Sequence, residues 1–232
     1  MSVLIVAGLD SSTGAGLARD LAVMAELGLQ ARIAATAVTA QDAAGGCLRH
    51  PVPGAMVAAQ IRAAGPVRAA KLGMLADAEV VAAVAESLPP VPIVLDPVLA
   101  TSAGVALIDA AGLAAMLARL FPLATLITPN LPEAARLTGL PEETAPDRLA
   151  AALVALGARA VLLKGGHGQG AEAVDWLFRP DAPALRLASP RKPGTTRGTG
   201  CTLASAIAGH LALGADLAVA CAGAKAHLDG WL

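Results

Sequence analysis

Cys201 stands at the end of Gly198-Thr199-Gly200 in the stretch TRGTGCTLASAIAGHL (196–211), directly ahead of a segment with helical periodicity. Glycines let successive backbone N–H groups converge in a tight turn, and the following helix adds its positive N-terminal end, so the four residues together make a site for an anion. Phosphate is its natural occupant. The same field favours a thiolate, so the Cys201 pKa is expected to fall below the free value of about 8.5, which would suit a base or a nucleophile. The bland alternative is that Gly-x-Gly only turns the chain and Cys201 packs as a small apolar residue.

Asp96 in VLDPV and Glu133 in TPNLPE each follow an apolar run, where an uncompensated carboxylate is costly. A magnesium ion carrying nucleotide phosphates would compensate both, directly or through water. Alternatively Asp96 caps a turn before Pro97, and Glu133 sits in a first helical turn where negative charge is favourable anyway. Lys164 in LLKGGHG ends another apolar run before Gly165-Gly166, and there it could neutralise phosphate oxygens during transfer or snorkel to solvent. A second glycine-rich turn, GLDSSTGAG (8–16), lacks both GxGxxG and the lysine of a Walker loop. Its glycines allow a ligand close to the backbone, and Asp10 or Asp20 could hydrogen-bond a substrate group. Two histidines are poor partners for Cys201. Nothing local links His167 to it, and His210 lies nine residues further along, about 13 Å of helical rise.

Positioning these groups requires a framework, and the apolar runs supply one. VLIVA (3–7), RIAATAV (32–38), AAKL (69–72), PIVL (92–95), TLIT (125–128) and AVLLK (160–164) have the length and flanks of buried strands. Helical-period segments lie between them, at roughly 14–28, 54–63, 76–88, 109–121, 132–138 and 146–157. Such alternation predicts a mostly parallel sheet with helices on both faces, a three-layer α/β/α sandwich. AVDWLF (173–178) and ALRLA (184–188) follow without a helix, as a hairpin or edge pair, and helices near 200–213 and 215–229 come last. Ligands of open parallel sheets bind beyond the carboxyl ends of the strands. The residues there are Gly8 and Asp10, Gln41, Gly73-Met74, Asp96, Asn130 and Gly165-Gly166.

The 232 residues carry no linker-like composition shift, so one domain over 1–232 is expected. A net charge of −1 gives no basic footprint for nucleic acid and points to small ligands. The apolar start meets Asp10 early and lacks a basic leading segment, and the most apolar window, 201–224, is interrupted by Ser205, His210 and Asp216. No membrane partner and a cytoplasmic location are therefore expected. Three irregularly spaced cysteines fit neither a disulfide framework nor a zinc site.

In their order along the chain, AGLDSSTGAGLARDL, VTAQ, KLGML, VLDPV, TPNLPEA, LKGGHGQGAEAVD and GTGCTLASAIA resemble the hydroxymethylpyrimidine/phosphomethylpyrimidine kinases of thiamine biosynthesis, in the ribokinase-like superfamily. The resemblance implies transfer of the ATP γ-phosphoryl group to the hydroxymethyl group of an aminopyrimidine, and then to its monophosphate, with Mg²⁺. It implies a substrate pocket of Gly8, Asp10, Ala15, Asp20, Gln41, Met74 and Val98, in which Gln41 pairs with the ring's amino and nitrogen edge. Asp96 and Glu133 would serve the magnesium. Asn130, Lys164, Gly166, Thr195, Arg197 and Lys225 would be the nucleotide set, with Lys225 in the helix bordering the adenine. The amides of Gly198, Thr199, Gly200 and Cys201 would hold the moving phosphoryl group, with Lys164 beside them and Cys201 as the base. The family also suggests a homodimer. Two departures stand out. LATSAG (99–104) places Ser102 where a lysine is usual, and Thr195-Thr196-Arg197 replaces the usual Asn-Thr-His. Arg197 either supplies charge to the phosphates or faces solvent. Pyridoxal or pyridoxine kinases share the cysteine motif and are the nearest alternative, with a non-catalytic pyrimidine-binding relative as another.

Overall fold

The computed structural model describes residues 1–41, 47–101, 103–166, 170–192 and 196–232. Strands and helices alternate as the apolar runs predict: β1 (Ser2–Asp10), α1 (Gly16–Glu26), β2 (Gln30–Gln41), β3 (Cys47–Pro51), α2 (Gly54–Ala63), β4 (Ala69–Leu72), α3 (Ala78–Ser87) and β5 (Ile93–Leu95). Then come α4 (Ala110–Arg119), β6 (Leu126–Ile127), α5 (Leu131–Thr138), α6 (Pro146–Ala155), β7 (Val161–Leu163), β8 (Glu172–Arg179), β9 (Ala182–Pro190), α7 (Thr199–Ala212) and α8 (Leu217–Trp231). Among the described residues the strands form one sheet in the order β3-β2-β1-β4-β5-β6-β7-β8-β9. Its centre is parallel, and β3, β8 and β9 are antiparallel.

Alternation along each strand divides the core in two. From β1, Leu4 and Val6 join Val57, Val80, Met116, Ala134 and Leu149 of α2 to α6 on one face. Val3, Ile5 and Ala7 join Leu17, Met24, Leu203, Ile207, Ala220 and Ala224 of α1, α7 and α8 on the other. The expected three layers result, and small alanine side chains let α7 lie close on the sheet. Helix starts are fixed chemically: Asp77, Asp109 and Asp216 cap α3, α4 and α8 by accepting backbone N–H bonds.

Two local differences from the sequence expectation have physical causes. The first helix begins at Gly16 rather than near 14, because Ala15 is still extended, with φ −152° and ψ −170°. β3 was not expected at all: its residues CLRHP are largely exposed and lack apolar alternation, and pairing with the end of β2, Gln41 opposite Cys47, makes it a strand. Since β2 and β4 lie on opposite sides of β1, the strand order reverses there, and the crevice at that reversal is where a ligand is expected.

Candidate active site

At the carboxyl end of β1 the chain has no room for a side chain: a Cβ on Gly8 would lie 2.8 Å from Met74 Sδ. Met74 is held after β4 by its carbonyl, which accepts a 2.6 Å bond from the Thr36 hydroxyl. Met74, Ala37, Ala76 and Leu107 form a small buried cluster, with Val98 and Cys47 packed against it. Gln41, across the ladder from Cys47, ends the strand beside this cluster. The expected pocket residues Gly8, Gln41, Met74 and Val98 are thus brought to one place, joined by Leu107 and Cys47, which sequence reasoning missed. Ala15 is the residue before α1. Asp10 is buried, and its carboxylate accepts bonds from the Ser12 amide (3.0 Å) and hydroxyl and from Arg197 (3.1 Å). It organises the loop that lines the crevice.

Asp20 requires a correction. It is neither pocket-lining nor solvated but 0% exposed, with both oxygens 2.8–2.9 Å from Lys71 Nζ and one accepting from the Ser205 hydroxyl at 2.8 Å. Lys71 is equally sealed. Burial alone would lower the lysine pKa, but the charges of Asp20, Cys201 and Asp96 outweigh it and hold Lys71 above the ordinary range, as an ammonium. The signal in the sequence was a lone lysine inside AAKL, a strand with both faces covered.

Cys201 lies in the first turn of α7, partly buried, with the Gly16 amide donating to it. Its expected acidity is overturned: burial pushes the thiol up to about 11, with Asp20 and Asp96 adding to the shift and Lys71 and the Gly16 amide opposing it. The helix end is legible in sequence, whereas the desolvation and the two carboxylates are not. Ahead of it, Gly198 has φ 82° and a Cβ there would meet the Gly14 carbonyl oxygen at 2.3 Å, so only glycine fits. His210, as expected, is remote, packed against Gly223 of α8.

Asp96, Lys164 and Glu133 do converge. Lys164 Nζ lies 2.7 Å from Asp96 Oδ1 and 3.9 Å from Glu133 Oε2, and Thr128 donates to Asp96 Oδ1 at 3.1 Å. Burial lifts the Glu133 pKa to about 7, Asp96 adds to the rise, and Lys164 opposes it. Glu133 also completes a reciprocal capping box with Asn130, each accepting the other's backbone N–H at 2.8 Å. The first-turn reading of Glu133 is therefore realised, and the same carboxylate also faces Lys164. A Cβ on Gly200 would sit 3.2 Å from Lys164 Nζ and 3.4 Å from Asp96 Oδ2, so the glycine turn lies directly over this cluster. Two carboxylates against one ammonium leave a negative excess facing that turn. Hard oxygen donors with a charge deficit fit Mg²⁺ that keeps part of its water; among the described residues there is no group of three or more His, Cys, Asp or Glu arranged to hold a metal alone.

Two nucleotide-set expectations are also corrected. Lys225 is buried, and its ammonium is spent on Asp175 Oδ2 at 2.8 Å, while Asp175 Oδ1 accepts from the Gly165 amide at 2.9 Å. It braces the turn after β7 rather than offering a free cation. Arg197 turns away from Lys164 and Asp96 toward Asp10, Ser12 and Gln41, because the buried Asp10 carboxylate needs a counter-charge. Gly166 is exposed, its carbonyl accepting from Arg191. Thr195, His167 and Ser102 lie outside the described residues.

A turn of backbone amides over a carboxylate–lysine cluster, beside the small apolar cluster, suits a phosphate group without naming the molecule that carries it. The family model described as phosphomethylpyrimidine kinase matches residues 10–232. The chain belongs to that family. It is 44% identical over 236 residues to the hydroxymethylpyrimidine/phosphomethylpyrimidine kinase of Streptomyces coelicolor, covering 98% of this chain and 87% of the relative. It is 46% identical over 237 residues to the thiamine biosynthesis bifunctional protein ThiED of Geobacter sulfurreducens, covering 98% of this chain but spanning only 48% of that longer protein. Among solved structures, the phosphomethylpyrimidine kinase of Clostridium difficile 630 superimposes with a TM-score of 0.84 at 33% identity, covering 100% and 99% of the two chains. The pyridoxal kinase of Staphylococcus aureus in complex with pyridoxal gives 0.88 at 30%, covering 98% and 86%. The three-layer sheet described above is the fold of these phosphomethylpyrimidine kinase relatives, as the motifs implied.

Proposed function

We propose that this protein is a single-domain kinase that transfers the γ-phosphoryl group of ATP to the hydroxymethyl group of 4-amino-5-hydroxymethyl-2-methylpyrimidine, and then to the resulting monophosphate, in thiamine biosynthesis. The observation that carries this reading is the closeness of the Gly200 backbone to both Lys164 Nζ and Asp96 Oδ2 (3.2 and 3.4 Å from its would-be Cβ), in a chain whose family is phosphomethylpyrimidine kinase.

Phosphoryl transfer asks the protein for position and field more than for covalent chemistry. Gly8, Ala15, Met74 and Val98 would enclose the ring, and Gln41 would read its edge. The amides of Gly198, Thr199, Gly200 and Cys201 would donate to the oxygens of the moving group, and Lys164 would neutralise them. Asn130 spends its Oδ1 on the helix cap, so it would meet a nucleotide phosphate through its amide protons. Gly166 would complete that side. Asp96 and Glu133 would hold Mg²⁺, which when bound draws charge from the phosphate oxygens. Cys201 rests as a thiol, so it would accept the hydroxyl proton only through its small thiolate fraction.

The test is ADP release from Mg-ATP by the purified chain with hydroxymethylpyrimidine, its monophosphate and pyridoxal as acceptors. Consumption of both pyrimidines is the expected result. A second reading, pyridoxal kinase, is supported by the likeness to the Staphylococcus aureus enzyme, and a higher kcat/KM on pyridoxal would put it first. Pyrimidine binding without ADP release would instead mark a non-catalytic relative.

A further inference from the structure

Arg197 joins three segments that are distant in sequence. Its Nη1 donates to Ser12 Oγ at 2.9 Å, and its Nη2 donates both to Asp10 Oδ2 at 3.1 Å and to Gln41 Oε1. A guanidinium carries donors only, so the Gln41 atom turned toward it is the carbonyl oxygen. The other end of the carboxamide is fixed as well. Gln41 Nε2 donates to Thr39 Oγ1 at 3.2 Å, and the Thr39 hydroxyl sends its own proton to the Leu9 carbonyl at 3.2 Å, which leaves its oxygen free to accept. Flipping the amide would set a nitrogen against Arg197 and would require the Thr39 hydroxyl to turn its proton away from the Leu9 carbonyl. One orientation is therefore held from both ends.

A carboxamide has two lone pairs and two N–H protons. Arg197 takes one lone pair and Thr39 takes one proton, so what remains is one acceptor beside one donor. Their complement is an aromatic edge with an exocyclic amine next to a bare ring nitrogen. We propose that Arg197 is a specificity-determining positioning residue, which locks the Gln41 carboxamide in the orientation that selects an amine-bearing pyrimidine over a ring lacking that amine. The inference rests on the reading of Gln41 as the group facing the substrate edge. Three of the five guanidinium N–H donors are spent on Ser12, Asp10 and Gln41, and Asp10 supplies the counter-charge.

The test compares kcat/KM on hydroxymethylpyrimidine and on its des-amino analogue for the wild-type chain and for Arg197→Ala, Arg197→Lys and Thr39→Val. The wild type prefers the aminopyrimidine. In Arg197→Ala that preference shrinks by about tenfold or more, through a raised KM for the amino substrate, while the analogue changes by less than about threefold. Arg197→Lys restores part of the preference, since one ammonium reaches Gln41 but not all three partners at once. Thr39→Val, which frees the other end of the amide, narrows the preference in the same direction. Undiminished preference in Arg197→Ala and Thr39→Val, or equal losses on both compounds, overturns the proposal. A wild type inactive on both pyrimidines overturns the kinase reading itself, and this inference with it.

Discussion

Lys71 lies in β4 and Lys164 directly follows β7, and both hold a carboxylate at 2.7–2.8 Å, yet their surroundings differ. Lys71 and Asp20 are sealed at 0% exposure, one charge against one, with Ser205 filling a further acceptor site. Lys164 is 13% exposed and faces two carboxylates, Asp96 and Glu133, so its cluster carries a net negative charge and opens beneath the Gly200 backbone. A neutral sealed pair has nothing left to bind. An unbalanced, half-open one would attract a cation and the phosphates that travel with it; burial, with Asp96 adding to it, lifts the Glu133 pKa there to about 7. Charge count and access, rather than ion-pair geometry, separate a structural lysine from a working one.

Substitutions can break this contrast. Lys71→Met strands the Asp20 carboxylate in the core and should cost about 3–5 kcal/mol in urea unfolding, most of it recovered by adding Asp20→Leu; a variant as stable as the parent would show that the pair is not sealed. Lys164→Met should leave the unfolding midpoint nearer the parent's and lower kcat by about 10²–10³. If instead stability falls as far as for Lys71→Met, the two lysines are alike. Cys201 sharpens the picture through pH. Because burial raises its pKa to about 11, its basic form grows as pH rises, so kcat/KM should climb about tenfold per unit above pH 7 if the thiolate takes the proton. Cys201→Ser should flatten that climb and reduce the rate by about 10². Smallest is Lys225→Met, where Asp175 keeps its Gly165 amide bond, and a loss of about 1–3 kcal/mol is expected from the thermal unfolding curve.

Local signals carried most of the framework. Residues 54–63 are a helix in both the periodicity and the structure, and the late hairpin follows from two apolar runs with no helix between them. β3 escaped because an exposed edge strand is defined by its neighbour's free N–H and C=O groups, which no pattern in CLRHP encodes. For the site, the positions after each strand were legible because parallel sheets expose their carboxyl ends together, and Gly8, Met74, Val98, Asp96, Lys164 and Glu133 fall there. Partners across the fold were not. Asp20 meets Lys71 from 51 residues away, and Arg197 meets Gln41 and Asp10 from 156 and 187. The ion pairs of Arg197 and Lys225 escaped because their counter-charges, Asp10 and Asp175, are adjacent only in space.

Gly198 touches the Gly14 carbonyl with no atom to spare, and this has a consequence for the order of assembly. During synthesis the loop after the first strand emerges early but lacks its cover until α7 is made, and Asp20 waits as long for Ser205. Contacts this distant along the chain form late. A nascent molecule still lacking α7 and α8 could hold a folded sheet and yet have no place to grip a phosphate, so competence should arrive abruptly, once those two helices are made.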